Sequence, residues 1–298
     1  TGERLIAELA KRHGNELFQA FCHAVLDYNE TYMRRAIGHL KEGSYEAETL
    51  IEDDVTSDDP LRLHAIVTLA DGTVTIDLTG SCDQIASGLN CPESSSISMV
   101  HYAVKAVVAP DLSQNQGCDR PITVVTRKGS IFEPIRPAAV SVRHLTQQAL
   151  ADLVLKALTP ISDLNVSAAC HVSFPAFVAG GFDDRAKAVQ EDGSKPYYVI
   201  ADILGGGMGG SPGADGLNAV DSHGGNCALL SAEVMETLSP IRVLRTALIP
   251  GSGGEGEYRG GLGMERDYEV LADVSIVSGY TQQTRPDTAP WGYEGGSS

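Results

Sequence analysis

The sequence predicts an α+β fold: mixed and antiparallel β-sheets with flanking helices and glycine-rich loops. Three observations carry this. Apolar residues recur at spacings of three and four in the first forty residues, at 94–108 and at 145–158, which is the pattern of helices with one buried face. Two period-two runs joined through Asp71-Gly72 read as a hairpin. Short strand-like runs dominate the second half, with helices beside them.

The elements follow in order. A short helix is expected over Glu3 to Arg12 and is separated by Gly14-Asn15 from a longer one. The longer helix carries Phe18, Phe21, Cys22, Val25, Leu26, Tyr32, Met33, Ile37 and Leu40 as one stripe that must pack on something, and Gly43 ends it. Residues 42–59 hold Glu42, Glu46, Glu48, Glu52, Asp53, Asp54, Asp58 and Asp59 without a base. No central Gly makes this an EF-hand loop, so it reads as a solvated strand and loop. Leu61 to Leu69 and Val74 to Leu78 are the hairpin strands. Ser94 to Val108 is a helix with Ser94 to Ser96 as N-caps. Asn115 to Cys118 is a polar loop, Ile122 to Thr126 a strand, and Leu145 to Leu158 a helix ended by Pro160. Strands are then expected at Val166 to Phe174, Tyr197 to Ile203, Ile241 to Leu248, Met264 to Leu271 and Val274 to Ser278. Asp183 to Gly193 reads as an exposed polar loop. Ala272-Asp273 reads as a tight turn between the last two strands.

Composition narrows the function. The 298 residues are 42% hydrophobic and 20% charged, a globular mix able to bury a core. The net charge is −17, which excludes the basic face a nucleic acid needs and disfavours an anionic membrane surface. No apolar run is long enough to span a bilayer, and no signal peptide is expected. The six cysteines show no CxxC pair, so a zinc ribbon or disulfide scaffold is excluded and reduced thiols of a cytoplasmic protein are expected. The chain begins at Thr1 rather than Met, which suggests processing or a piece of something longer. Residues 1–43 are expected to be a helical segment packing on a partner or a missing N-terminal part, and residues 44–298 an α+β region.

Chemistry is sought in two glycine clusters and the bend between them. Gly205 to Gly213 follows a strand, where Gly206 and Gly207 form either an anion nest or a tight loop packed under other backbone. It lacks the P-loop spacing and opens no helix, so the nucleotide fingerprints fail. Gly251 to Gly263 carries Ser252, Gly253 and Arg259. That arginine either clamps a carboxylate or phosphate or bonds loop carbonyls. In Ser222 to Asn226, His223 is a candidate general base or metal ligand and Asn226 a candidate for orienting a substrate carbonyl. Arg143-His144 precedes a helix, a place to meet an anion. No HExxH, HxH or paired His-Asp spacing occurs. Cys118 or Cys227 as a nucleophile would need a nearby base.

Gly251 to Asp267, reading GSGGEGEYRGGLGMERD, resembles the signature of the hydantoinase B/5-oxoprolinase family, S-G-G-x-G-x-[YWF]-R-G-G-x-G, with Gly251 near where an acid commonly stands. Gly205 to Gly216 is similar to the family's G-G-G-x-G-x-x-x-G-x-D-G, and Ser222 to Asn226 to its polar bend. Ser231 to Val234, Pro240 to Val243, Pro290-Trp291-Gly292 and Gly295-Gly296 also match. Upstream, the Tyr28 to Tyr45 helix exit, Leu78 to Ser81 and Asn115 to Cys118 fit in the same order. The resemblance covers nearly the whole chain.

The resemblance implies the C-terminal part of a larger multi-domain subunit. The family's N-terminal metal-associated motifs, N-D-P…G-G-T-H and H-H-x-D, do not occur here. No metal ligand is therefore assigned to this chain; a divalent metal (Zn or Mn) would be held outside it. The partner implied is a hydantoinase-A-like ATPase subunit that uses ATP and Mg to phosphorylate a carbonyl oxygen of the small-molecule substrate. The hydantoinase-B half then completes ring hydrolysis with a metal-activated water, or attack on CO₂ in acetone- or acetophenone-type carboxylases. The function implied is an ATP-dependent cyclic amide hydrolase working as a hetero-oligomer. The rivals are a ketone carboxylase subunit and a non-catalytic scaffold. His223, Asn226 and Arg259 are the candidate catalytic contacts. Gly206, Gly207, Ser252, Gly253, Arg143 and His144 are the candidate substrate or phosphate contacts.

Overall fold

The computed structural model describes residues 1–297 except 54, 162–163, 173–175, 186–187 and 280. The hairpin organises the first half. Strands β1 (Gly43–Ile51), β2 (Leu61–Ala70), β3 (Thr73–Asp77) and β4 (Ile122–Val125) lie side by side in that order. The first three are antiparallel; β4 joins β3 in parallel. Asp71 and Gly72 turn the hairpin with φ of 50° and 67°, the left-handed pair that matches strand twist. Alternation along β2 buries Leu63, Ala65, Val67 and Leu69 on one face.

Helix α5 (Arg143–Leu158) packs on β1 and β2, and α3 (Glu93–Val108) packs on α5. Twelve of the residues of α5 are buried, so it is the central helix rather than a surface one with a single stripe. Its Leu150, Leu153 and Val154 have no exposed surface. Ser94 to Ser96 lie inside the first turn of α3 and do not cap it: Pro92 is the N-cap, and buried Ser96 donates to the Phe132 carbonyl. The polar loop at 115–118 closes into a one-turn helix, α4 (Gln116–Asp119), capped by the Asn115 side chain.

The N-terminal helices are α1 (Gly2–His13) and α2 (Asn15–Gly38). The expected stripe on α2 is only half used. Its Met33 and Ile37 are buried, together with the polar Asn29 outside the stripe, whereas Phe21 is 64% exposed and Tyr32 44%. Within this chain α1 buries no residue. Among the described residues no helix is long and apolar enough to cross a membrane.

The second half has a three-stranded antiparallel sheet, ordered β6 (Tyr197–Ile203), β5 (Ala176–Phe182), β9 (Ile276–Ser278). A separate ribbon pairs β7 (Ile241–Leu248) with β8 (Met264–Val270), with a bulge between Val243 and Arg245. Helix α6 (Ala232–Leu238) precedes β7, its Ser231 side chain accepting from the Val234 N–H. A smaller apolar cluster of Ala179, Tyr198, Ile200, Met235 and Ile241 holds these pieces together.

Four expectations are corrected. Residues 166–172 form no strand: the N–H groups of Ala168, Ala169 and His171 bond the Gly210, Trp291 and Gly207 carbonyls, and those of Cys170 and Val172 bond the Asp152 and Gln283 side chains; 173–174 lie outside the described residues. Ala272-Asp273 does not join a paired hairpin, since β8 pairs with β7 and β9 with β5. The acidic stretch is not wholly solvated. Glu52 and Asp53 are 2% and 3% exposed, and Glu52 accepts from the Thr284 N–H and hydroxyl, the Arg285 N–H and the Thr288 hydroxyl. The expected exposed loop at 183–193 begins with buried Asp183, paired to Arg185.

Candidate functional site

Three glycine-bearing segments, 205–212, 249–263 and 290–297, meet around a cavity of about 540 Å³. Strand β6 ends just before the first segment, and β8 begins where the second stops. Backbone interlocks them. Met208 donates to Leu217 at 3.0 Å, Gly261 to Met208 at 2.8 Å and Gly216 to Arg259 at 2.7 Å. Below, Ala168, Ala169 and His171 donate to the carbonyls of Gly210, Trp291 and Gly207. A Cβ at Gly207 would overlap the Gly261 carbonyl, and one at Gly261 would overlap that of Leu217. Between the two readings of this loop, the geometry is that of glycines packed under other backbone. The Gly206 N–H, for instance, is already given to the Val220 carbonyl at 3.0 Å.

The cavity wall is acidic. Glu255, Glu257 and Glu294 line it with Tyr258, Tyr293 and Trp291, and no Lys or Arg is among the described lining residues. His171 is the histidine on the lining, its Nδ1 3.3 Å from the Gly207 carbonyl. Burial pushes its pKa down. The Gly207 carbonyl and the Asp152 and Asp221 carboxylates oppose this without cancelling it. Sequence reasoning assigned His171 no role, and only its residue type marked it. A second cavity of about 310 Å³ shares Gly205 and Met264 and reaches exposed Cys227.

The structure brings only some of the candidate residues together. Gly206, Gly207 and Ser252 lie on the main cavity. The Ser252 hydroxyl is committed locally, donating to the Ile249 carbonyl at 2.8 Å and accepting from the Gly263 N–H at 2.8 Å. Gly253 backs onto the Gly260 carbonyl. Arg259 donates Nη1 to the Gly260 carbonyl at 2.7 Å, which is the loop-bracing alternative, and its N–H bonds Asp215. Asn226 is exposed. Arg143 and His144 open α5 away from the cavity lining, with Arg143 Nη1 3.3 Å from the Val140 carbonyl. Burial and the neighbouring Arg143 hold the His144 pKa below its usual value.

His223 is neither alone nor on the cavity. It is 5% exposed, with Nε2 2.8 Å from Asp152 Oδ1 and Nδ1 3.2 Å from the Tyr102 hydroxyl. Burial alone would lower its pKa. The Asp152 carboxylate, with Cys170 beside it, outweighs that and raises it well above the ordinary range. The two residues are 71 apart in sequence, so no motif spacing could reveal the pair.

Comparison with known proteins gives a consistent picture. The family model described as hydantoinase B/oxoprolinase matches residues 1–298. A protein from Pseudomonas sp. (strain NS671), named as the B component of a D-/L-hydantoinase, is 31% identical, covering 99% of this chain and 49% of its own length. The 5-oxoprolinase of Dictyostelium discoideum is 28% identical over 93% of this chain and 21% of its own length. The chain thus spans about half of the first relative and about a fifth of the second. In fold it is similar to nucleotide-free acetone carboxylase, with a TM-score of 0.80 at 18% identity, covering 93% of this chain and 38% of that one. It is also similar to the ATP-dependent caprolactamase of Pseudomonas jessenii, with a TM-score of 0.79 at 23% identity, covering 90% of this chain and 46% of that one.

Proposed function

This chain belongs to the hydantoinase B/oxoprolinase family, and we propose that it forms one wall of a composite active site in an ATP-dependent cyclic amide hydrolase. The observation that carries this reading is the glycine-lined cavity. Its three walls are the segments that carry the family signature, yet it holds acids and aromatic rings rather than cations. A phosphorylated intermediate there needs positive charge from elsewhere. In this reading a hydantoinase-A-like ATPase subunit, using ATP and Mg, phosphorylates the amide oxygen. The N-terminal part of the hydantoinase-B-type polypeptide completes the chamber, in a cytoplasmic hetero-oligomer.

The role of this chain is to shape and orient. Tyr258, Trp291 and Tyr293 offer flat apolar surface to a small ring, with His171 beside them on the lining. The cavity lining does not fit a catalytic divalent metal. Among the described residues the lining acids and His171 form no group of three ligand atoms close enough to share an ion, so in this reading an ion acting in the cavity takes its ligands from beyond this lining.

The test is the complete subunit co-purified with its ATPase partner. It is given ATP with a lactam or hydantoin, and separately ATP with bicarbonate and a ketone. ADP release matched to the ring-opened product, an amino acid from the lactam or an N-carbamoyl amino acid from the hydantoin, supports the proposal, and Trp291→Ala lowers that turnover. ADP release matched to a carboxylated ketone replaces it with the carboxylase reading. Turnover by this chain alone, with no ATP consumed, overturns it.

A further inference from the structure

Three side chains that the proposed reaction does not use meet beneath the cavity floor. Asp152 comes from α5, Cys170 from the segment before β5, and His223 from the bend after β6. They are 4%, 0% and 5% exposed. A carboxylate oxygen, the sulfur and a ring nitrogen lie within 4.8 Å of one another. Each residue is also held from behind. The Asp152 carboxylate accepts from the Cys170 N–H at 3.1 Å, and the Cys170 carbonyl accepts from Gln283 Nε2 at 3.1 Å. Gln148 Nε2 donates to the His223 carbonyl at 3.2 Å, while the Tyr102 hydroxyl fixes Nδ1 and leaves Nε2 aimed at the group. Outer partners of this kind orient metal-binding side chains.

The donor set selects its occupant. One sulfur, one imidazole nitrogen and one carboxylate oxygen form a borderline-soft mixture suited to Zn²⁺, whereas Mg²⁺ and Ca²⁺ take oxygen cages. A cysteine–histidine–aspartate relay is a poorer account. It needs the two ring nitrogens to face nucleophile and acid separately. Here Tyr102 takes one nitrogen and Asp152 the other, and Cys170 has no surface open to a substrate.

We infer that Asp152, Cys170 and His223 bind a zinc-class divalent cation that ties α5 to the loops under the cavity. Binding displaces the thiol proton and the Nε2 proton to solvent, leaving thiolate, neutral imidazole and carboxylate as ligands. Cys170 adjoins Ala169 and His171 on the cavity lining, so the ion braces that floor from below.

The test uses the complete subunit, purified without a metal-affinity tag or chelator. Its metal is measured by plasma mass spectrometry and then exchanged for Co²⁺. The expected result is a sulfur-to-cobalt charge-transfer band in the near ultraviolet. Cys170→Ser abolishes that band and lowers the metal content by about one equivalent, and His223→Gln loses the same equivalent. A second metal bound elsewhere through oxygen and nitrogen gives no such band, so the two are separable. Folded cobalt protein without a sulfur band overturns the inference, as does a band and metal content unchanged in Cys170→Ser. Where the variants do not fold, mercurial titration of the wild-type thiols decides the matter: zinc release supports the site and no release overturns it. None of these readouts depends on activity, so they stand apart from the hydrolase proposal.

Discussion

Replacing Asp202 with alanine removes the carboxylate that pairs β6 with Arg266 of β8. The two side chains are each 1% exposed, with Arg266 Nη1 2.6 Å from Asp202 Oδ2, and the Tyr268 hydroxyl donates to the same oxygen at 2.8 Å. The variant leaves a guanidinium buried and unpaired. Breaking a buried pair from one side costs about 3–5 kcal/mol, a large share of the ~5–15 kcal/mol that holds a domain folded. With a urea slope of about 2 kcal/mol/M, the midpoint falls by about 2 M. Among the described residues, Asp202 Oδ1 and Arg266 Nε have no hydrogen-bond partner, so the pair is incompletely compensated. The double replacement Asp202→Leu with Arg266→Met therefore recovers most of the loss or exceeds the parent. Circular dichroism during urea unfolding measures both effects. A midpoint shift below about 0.5 M for Asp202→Ala would refute the reasoning, because water would then be reaching the charge.

Two further outcomes are expected. Burial raises the Glu52 pKa, but bonds from Thr288, Thr284 and Arg285 outweigh it and leave the carboxyl below its ordinary value. A lowered folded pKa contributes stability that is full above the unfolded value of ~4.3 and is lost as pH falls through the folded one. Glu52→Gln should accordingly cost about 1–3 kcal/mol at pH 7 and flatten the acid limb of a stability–pH curve; an unchanged acid limb counts against it. Gly261→Ala forces a Cβ onto the Leu217 carbonyl and should cost about 1–3 kcal/mol, read as a lower thermal midpoint. No shift there means the loops part without cost.

The elements that can be read locally were legible. Asp71-Gly72 declares its hairpin because only a left-handed pair turns two twisted strands in that space. The helix at α5 shows in its spacing, although its burial on nearly every side does not, since that depends on β1, β2 and α3 arriving from elsewhere. The failures share one cause. Val166 to Val172 is strand-like in composition, but its partners are carbonyls of Gly207, Gly210 and Trp291. Glu52 looks solvated beside its acidic neighbours until residues 282–288 close over it. At the candidate site the glycine segments announced themselves, and family resemblance ordered them. The meeting of Asp152, Cys170 and His223 left no trace, because three distant segments supply one atom each.

The interlocked glycine loops also govern how a saturation scan of this region would read. With peptide groups pressed directly against one another, positions such as 207, 216 and 261 have no side-chain slack through which a neighbour can give way. Almost every replacement there would score as damaging, even at residues that never meet a substrate. Loss of activity along these loops reports spacing between chain segments. Roles in the chemistry have to be sought among the neighbouring side chains that tolerate trimming without loss of the folded state.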